Sequence, residues 1–348
     1  MTPASSRRGS GARRRSRTSR STGGDPTHRS GAGARGPERI FAACAPGLED
    51  LLARELAELG LEARAVPGGA LAEGESAAAL ACLGSRLADT VKRRLWEGEL
   101  PGLPGARRDL AARLPGLKIE ARRDGSRGAL SVDAAGEPLF KRGWRGRVGA
   151  APLRESLAAG LLRSLRYDGS TPFLDPMCGS GTLAIEAALL SGRRAPGLGR
   201  DFAFERFPGH DPSRTRAVRA SLAAAARDPA APVLASDRNG GAVRLTRRNA
   251  AAAGMAAFVA VERRDAASIV PPPGPGVCLV NPPYGIRLDE DVEGAWRALG
   301  ALLERLGGWT VGVLAGSAGL ARLLPGSPVD RSDVRNGGLR CAFLTYRP

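Results

Sequence analysis

The sequence predicts an α/β protein built on a mostly parallel sheet with helices on both faces, preceded by a small α+β domain. Three observations predict it. From residue 152 onward, short apolar strands alternate with helices. Four polar residues, Asp175, Asp237, Asp265 and Asn281, fall at or just after the ends of four of those strands. Before residue 146 the pattern differs: strand, helix and strand are followed by a hairpin signal. Continuous apolar strands between helices are the signature of a parallel sheet covered on both sides.

The chain has 348 residues, enough for about two domains. Residues 1–37 contain nine Arg against one acid, Asp25, among Ser, Gly and Thr. Such a segment has too little apolar surface to offset its ordering entropy, so it is expected to be a disordered basic tail. It reads as an arm that grips phosphates through counterion release, or as a solvated extension with no specific role. It is also poor in acids like a transit peptide, but it lacks amphipathic periodicity. The tail holds nearly half of the net charge of +17, and only Lys92, Lys118 and Lys141 are lysines. Arg, Ala and Gly run high throughout, a bias that weakens net charge as evidence for a nucleic-acid partner.

Residues 38–146 are expected to form the small α+β domain. ERIFAACAPG opens a strand, and Leu48, Leu51, Leu52, Leu56 and Leu59 share one face of a helix over 47–59. Gly60 stops that helix, and LEARAV resumes as a strand. A second helix is expected over 76–96. Residues 117–136 read as a hairpin around Asp-Gly-Ser. The stretch 67–116 is short and rich in Gly and Pro.

Residues 147–348 form the second expected domain. APLRESLAAGLLRSL (151–165) is an amphipathic helix. Strands follow over 171–176, 231–237, 257–263, 277–283 and 309–316, and RCAFLTYR (340–347) closes the chain. Helices are expected over 182–191, up to 252, and over 294–306. No run of 18 apolar residues suggests a membrane span. Cys44, Cys82, Cys178, Cys278 and Cys341 are scattered, with no CxxC, which argues against zinc and for reduced thiols in a cytoplasmic protein.

The chemistry lies at the strand ends, where ligands of such sheets bind. In DPMCGSGTLAIEAA (175–188), Gly179 and Gly181 allow a tight turn and a close ligand approach, and a helix N-terminus follows. No third Gly opens the helix and no Gly-Lys-Ser/Thr follows, so the string is neither a dinucleotide fingerprint nor a phosphate loop. Asp237, in SDRN, fits two ribose hydroxyls, or alone it fits a helix cap. Asp265 fits an adenine amino group, or it caps the next segment. In NPPY (281–284), Pro282 and Pro283 fix an extended backbone. The Asn281 amide oxygen and the Pro282 carbonyl then aim at one point. Two such acceptors, gripping the hydrogens of a planar base amino group, free its lone pair to attack a methyl group. Tyr284 offers a face for base stacking.

With DPMCGSGT and NPPYG at the fourth strand, the chain resembles the class I amino-methyltransferases acting on nucleic acids. More narrowly, it resembles the THUMP-domain 23S rRNA guanine-N2 methyltransferase family, in its form without a fused second methyltransferase. PLFKRGWR (138–145), APLRESLAA (151–159), RAPGLGRDFAFERFP (194–208) and NGGLRCAFLTY (336–346) are similar to further family segments, so the match covers roughly 138–348. The resemblance implies a Rossmann-like domain with a mostly parallel seven-stranded sheet and a preceding ferredoxin-like or THUMP-like module, here shortened. It implies S-adenosyl-L-methionine as cofactor and RNA, ribosomal RNA in particular, as partner, with no metal and no membrane; the oligomeric state stays open. It puts Asp175, Cys178, Gly179, Ser180 and Gly181 against the cofactor. Pro152 and Leu153 lie at the segment that holds its methionine end. Asp237 takes its ribose and Asp265 its adenine. Asn281, Pro282, Pro283 and Tyr284 hold the target base.

Other readings use the same residues. The substrate is a transfer RNA guanine, or an adenine N6 in DNA, although no duplex-recognition insert is visible. A catalytically inactive RNA-binding protein is the remaining alternative, against which stand the intact Gly179, Gly181, Asp237 and NPPY.

Overall fold

Residues 37–145, 153–284 and 291–348 are described by the computed structural model. The basic tail up to residue 36 and Pro152 lie outside the described residues. The N-terminal lobe runs β1 (Glu38–Ala43), α1 (Glu49–Glu58), β2 (Glu62–Val66), β3 (Gly69–Gly74), α2 (Ala77–Gly84), β4 (Thr90–Glu99), α3 (Leu103–Arg113), β5 (Ile119–Asp124) and β6 (Arg127–Asp133). Its strands form one antiparallel sheet in the order β2-β3-β1-β4-β6-β5.

One expected helix is corrected. The segment 76–96 is helical only to Gly84; Ser85 is already extended, and Thr90–Glu99 is a strand. Lys, Arg and Leu in 92–95 are good helix formers, but β4 pairs with β1 on one side and β6 on the other. Two ladders of hydrogen bonds override a weak local preference. The Gly- and Pro-rich stretch 67–116 thus supplies β3, α2, β4 and α3.

The C-terminal lobe runs α4 (Glu155–Ser164), β7 (Phe173–Asp175), α5 (Thr182–Ser191), α6 (Pro212–Ala224), β8 (Val233–Asp237), α7 (Gly240–Ala252), β9 (Val259–Arg263), β10 (Val277–Val280), α8 (Val292–Leu303), β11 (Thr310–Ala315), α9 (Ala318–Ala321), β12 (Asp330–Asn336) and β13 (Leu339–Tyr346). Seven strands stand in the order β12-β13-β11-β10-β7-β8-β9. β7 to β11 are parallel, and the terminal β12–β13 hairpin is antiparallel. The chain enters at β7, winds out to β9, then returns to β10 on the other side of β7. The crevice between β7 and β10 is therefore the topological switch point, where such sheets bind ligands.

Helix α5 follows the switch point and is apolar almost all round, so it is buried on nearly every side. Its one charged residue, Glu186, is fully buried and pairs with Arg142 Nε at 3.3 Å. Arg142 also donates to the carbonyl of Leu139 at 2.8 Å. From the N-terminal lobe, Arg86 donates to the carbonyls of Leu189 and Arg194 at 2.9 and 2.6 Å. The segment 194–208 straps across the same seam. Gly197 N–H donates to Leu83 O at 2.9 Å, and Phe204 N–H to Ala134 O at 3.0 Å. A Cβ on Gly197 would stand 2.5 Å from Cys82 O, so only glycine permits this approach. Residues 36–348 accordingly form one compact unit. Trp144 is buried in it, with the Arg145 guanidinium over its ring. Among the described residues no helix is long and apolar enough to cross a membrane.

Candidate active site

The Gly turn after β7 is held from behind by α7. Gly179 (φ +53°) and Gly181 (φ +84°) both take the left-handed conformation. Thr246 Oγ1 donates to Gly179 O at 3.0 Å, and Asn249 Nδ2 donates to Ser180 O at 2.9 Å. Both side chains are buried. A Cβ on Gly181 would lie 2.7 Å from Thr246 Cγ2, whereas one on Gly179 would meet nothing within 4 Å. The turn is therefore packed on one side and open on the other, as a ligand cradle requires.

Asp237, at the tip of β8, faces that turn. Its Oδ2 accepts from Gly179 N–H at 3.0 Å and its Oδ1 from Asn239 N–H at 2.8 Å. It is half-buried, which leaves lone pairs for further donors. Asp175 is buried at the tip of β7. The only hydrogen bond of its carboxyl group among the described residues is a long one, from Met177 N–H at 3.4 Å. Burial pushes its carboxyl well above the usual carboxylate range; the Met177 N–H opposes the shift and the Asp237 charge adds to it. A buried acid with so little satisfaction is suited to a donor brought by a ligand. Burial, reinforced by Asp175, likewise raises the Cys178 thiol, which keeps it a neutral, weakly nucleophilic group. Asp265 caps the short turn after β9 through Ala267 N–H at 2.9 Å and remains half-buried.

Leu153 and the Gly turn are joined by Arg145. Its guanidinium donates to Leu153 O at 2.9 Å and to Thr182 Oγ1, and it pairs with Glu155 at 3.3 Å. Sequence reasoning missed Arg145 and Glu155 in this role. The available signal was their place in PLFKRGWR and APLRESLAA, two of the segments that carry the family resemblance.

At the tip of β10, next to β7, Asn281 is half-buried and Pro282 buried. Trp296 of α8 donates its indole N–H to Pro283 O at 3.0 Å. Pro282 O has no hydrogen bond among the described residues. The Tyr284 hydroxyl reaches Asn281 Oδ1 and lies 3.1 Å from Leu314 O; its single hydrogen serves one acceptor at a time. One face of the Tyr284 ring rests on Gly316, where a Cβ would stand 2.7 Å from the ring. Tyr284 is thus turned in against β11 and only half-exposed.

A parallel sheet with a Gly turn, acidic strand tips and an Asn-Pro-Pro-Tyr tip at its switch point defines a methyltransferase fold. The match to known proteins is specific. Residues 142–344 match the RMKL-like methyltransferase domain, and residues 39–92 match the RlmL ferredoxin-like domain. The chain belongs to the RMKL-like methyltransferase family. It is 37% identical over 280 residues to a ribosomal RNA large subunit methyltransferase K/L of Magnetococcus marinus. That alignment takes in 76% of this chain and 38% of the relative, so the chain spans well under half of the curated relative's length. Among solved structures, SMU.472, determined in complex with SAH, superposes with a TM-score of 0.79 at 25% identity, covering 90% of this chain and 98% of that one. TrmN from Thermus thermophilus superposes with a TM-score of 0.62 at 22% identity, covering 89% and 100%, and shares the fold. S-adenosylmethionine is the cofactor that goes with this family and fold, and the open Gly cradle and under-satisfied Asp175 fit it.

Proposed function

We propose that the chain methylates an exocyclic amino group of an RNA base, guanine N2 in large-subunit ribosomal RNA, in the cytoplasm. The observation that carries this is the pair of acceptors at the tip of β10. Trp296 takes the Pro283 carbonyl, which leaves Pro282 O and Asn281 Oδ1 for the target. When bound, S-adenosylmethionine supplies a methyl group on a positively charged sulfur. Asp237 accepts from its ribose, Asp265 from its adenine, and Gly179–Gly181 leave room for its body. Cys178, Ser180 and Leu153 complete that wall. Asn281 and Pro282 accept the two N–H hydrogens of the base and direct its lone pair. Tyr284 gives its hydroxyl hydrogen to Leu314 O when the base takes Asn281, and its ring then flanks the base.

The lobe of residues 38–146 is assigned to RNA capture and 147–348 to the transfer; the Arg-rich residues 1–37 add phosphate contacts. The M. marinus relative's name supports ribosomal RNA as substrate.

Transfer of labelled methyl from S-adenosylmethionine to unmodified ribosomal RNA, transfer RNA and duplex DNA, with nucleoside identification, tests the proposal. N2-methylguanosine in ribosomal RNA is expected. The same product in transfer RNA alone would redirect the substrate, and N6-methyladenine in DNA would overturn the RNA assignment. Asn281→Ala should lower transfer at least about a hundredfold while cofactor binding is retained; undiminished transfer would remove Asn281 from the chemistry.

A further inference from the structure

A cavity of about 420 Å³ lies where the two lobes meet beside the Tyr284 wall. It is lined by the end of β11 with Gly316, by the β12–β13 hairpin and by Pro46 of the N-terminal lobe. Arg331, Arg335 and Arg340 line it, with Asp333 as the one acid. Gly316 and Cys341 form part of its lining, and the same Gly316 supports the Tyr284 ring. The cavity and the target-base site therefore share a wall.

The arginines of this cavity differ from those that hold the fold together. Arg86, Arg142, Arg145, Arg163 and Arg219 all spend their guanidinium groups on carbonyls or carboxylates. Arg331, Arg335 and Arg340 have no side-chain hydrogen bond or ion pair among the described residues, and all three are exposed. Arg335 and Arg340 also stand directly opposite each other in the antiparallel register. Like charges so placed repel and weaken a strand pair. An anion lying across the two would reverse the sign of that interaction.

We propose that this cavity is the phosphate track of the RNA strand that feeds the Asn281 site, with Arg335 and Arg340 gripping one phosphate between them and Arg331 the next. The inference rests on the RNA reading above. Guanidinium forks match phosphate oxygens in pairs, and backbone contacts set the register of a strand without reading its bases. The shared wall then fixes the distance from the gripped phosphate to the flanking base. Pro46 lines the track on the side of the N-terminal lobe.

The test uses the full chain and the Arg335→Ala/Arg340→Ala double variant, with Arg335→Lys/Arg340→Lys as the charge-preserving control. Binding of single-stranded ribosomal RNA fragments is measured against salt concentration, separately from methyl transfer. The alanine pair should bind RNA about tenfold more weakly, with a salt slope shallower by about 0.7 for each phosphate no longer gripped. Its S-adenosylmethionine affinity should be unchanged and its melting temperature no lower than the parent's, because the repulsion between the two strands is relieved, and the lysine pair should restore the slope. An alanine pair with the parental slope and affinity would overturn the track. If the parent chain binds RNA but methylates only DNA, the functional reading fails while the slope still decides the track. A variant weakened equally for RNA and duplex DNA, with the parental RNA slope, would also sink it.

Discussion

The indole N–H of Trp296 donates to the carbonyl of Pro283 at 3.0 Å, joining a fully buried side chain of α8 to the backbone just after β10. Pro283 cannot donate to the sheet, and its carbonyl would otherwise compete with that of Pro282 for the target amino group. Trp296→Phe keeps most of the packing but leaves this carbonyl unsatisfied, at about 1–3 kcal/mol. The looser tip should lower the methyl-transfer kcat about tenfold or more, with S-adenosylmethionine Kd unchanged. A stability loss without a kcat loss, read from urea midpoints and single-turnover rates, would make Trp296 a core residue only.

Glu186 and Arg142 form a pair that is nearly sealed from water. Removing one partner of such a pair strands the other charge, so Glu186→Ala should destabilise the fold by about 3 kcal/mol or more. A double-mutant cycle with Arg142→Met should give a large coupling, because the second change removes the stranded charge. Additive losses in urea unfolding would show that the pair contributes nothing as a unit.

These two relationships also mark how far the sequence could be read. The strand–Gly turn–helix unit was legible because its signals are local: Gly179 and Gly181 bracket the turn, and the apolar run 182–191 is the helix observed. The four polar strand tips followed from the alternation of strands and helices. What was not legible depends on partners distant in sequence. Thr90–Glu99 looks helical until β1 and β6 are beside it. Asp330–Asn336 is too polar to read as a strand; it sits at the sheet edge, paired with β13 alone among the described residues. Trp296 reads as a core residue of an amphipathic helix, and nothing in the spacing reveals its bond to Pro283. Tyr284 reads as a stacking face, and nothing in the spacing reveals that Gly316, just after β11, lets one side of its ring pack inward.

Gly181→Ala and Gly179→Ala should separate packing from ligand space. Both residues take positive φ, which strains alanine by about 1–2 kcal/mol. At position 181 the new Cβ also meets the buried Thr246, whose hydroxyl is already committed to Gly179 O. Gly181→Ala should therefore unfold at the lower urea concentration. Gly179→Ala should stay closer to the parent in stability but lose S-adenosylmethionine affinity, since its methyl projects into open cradle. Calorimetric titration of both variants checks this, and unchanged affinity in Gly179→Ala would place the cofactor elsewhere.

Glu155 sets a pH dependence on the link between α4 and the Gly turn. Its carboxyl is buried, and burial raises it from its ordinary 4.5 to about 7, against the opposing charge of Arg145. In the folded state Glu155 holds its proton more tightly than in the unfolded chain. Its contribution to stability is thus complete below about 4.5 and is lost as pH rises through about 7. Glu155→Gln cannot titrate, so its urea midpoint should fall less than the parent's between pH 5 and pH 8. Other carboxylates titrate in both proteins and cancel in the comparison. Because Arg145 also holds Leu153 and Thr182, the parent's S-adenosylmethionine affinity should change over the same window and the variant's should not. Parallel midpoints for the two proteins across that range would show that Glu155 is already ionised in the fold, with Arg145 compensating its burial in full.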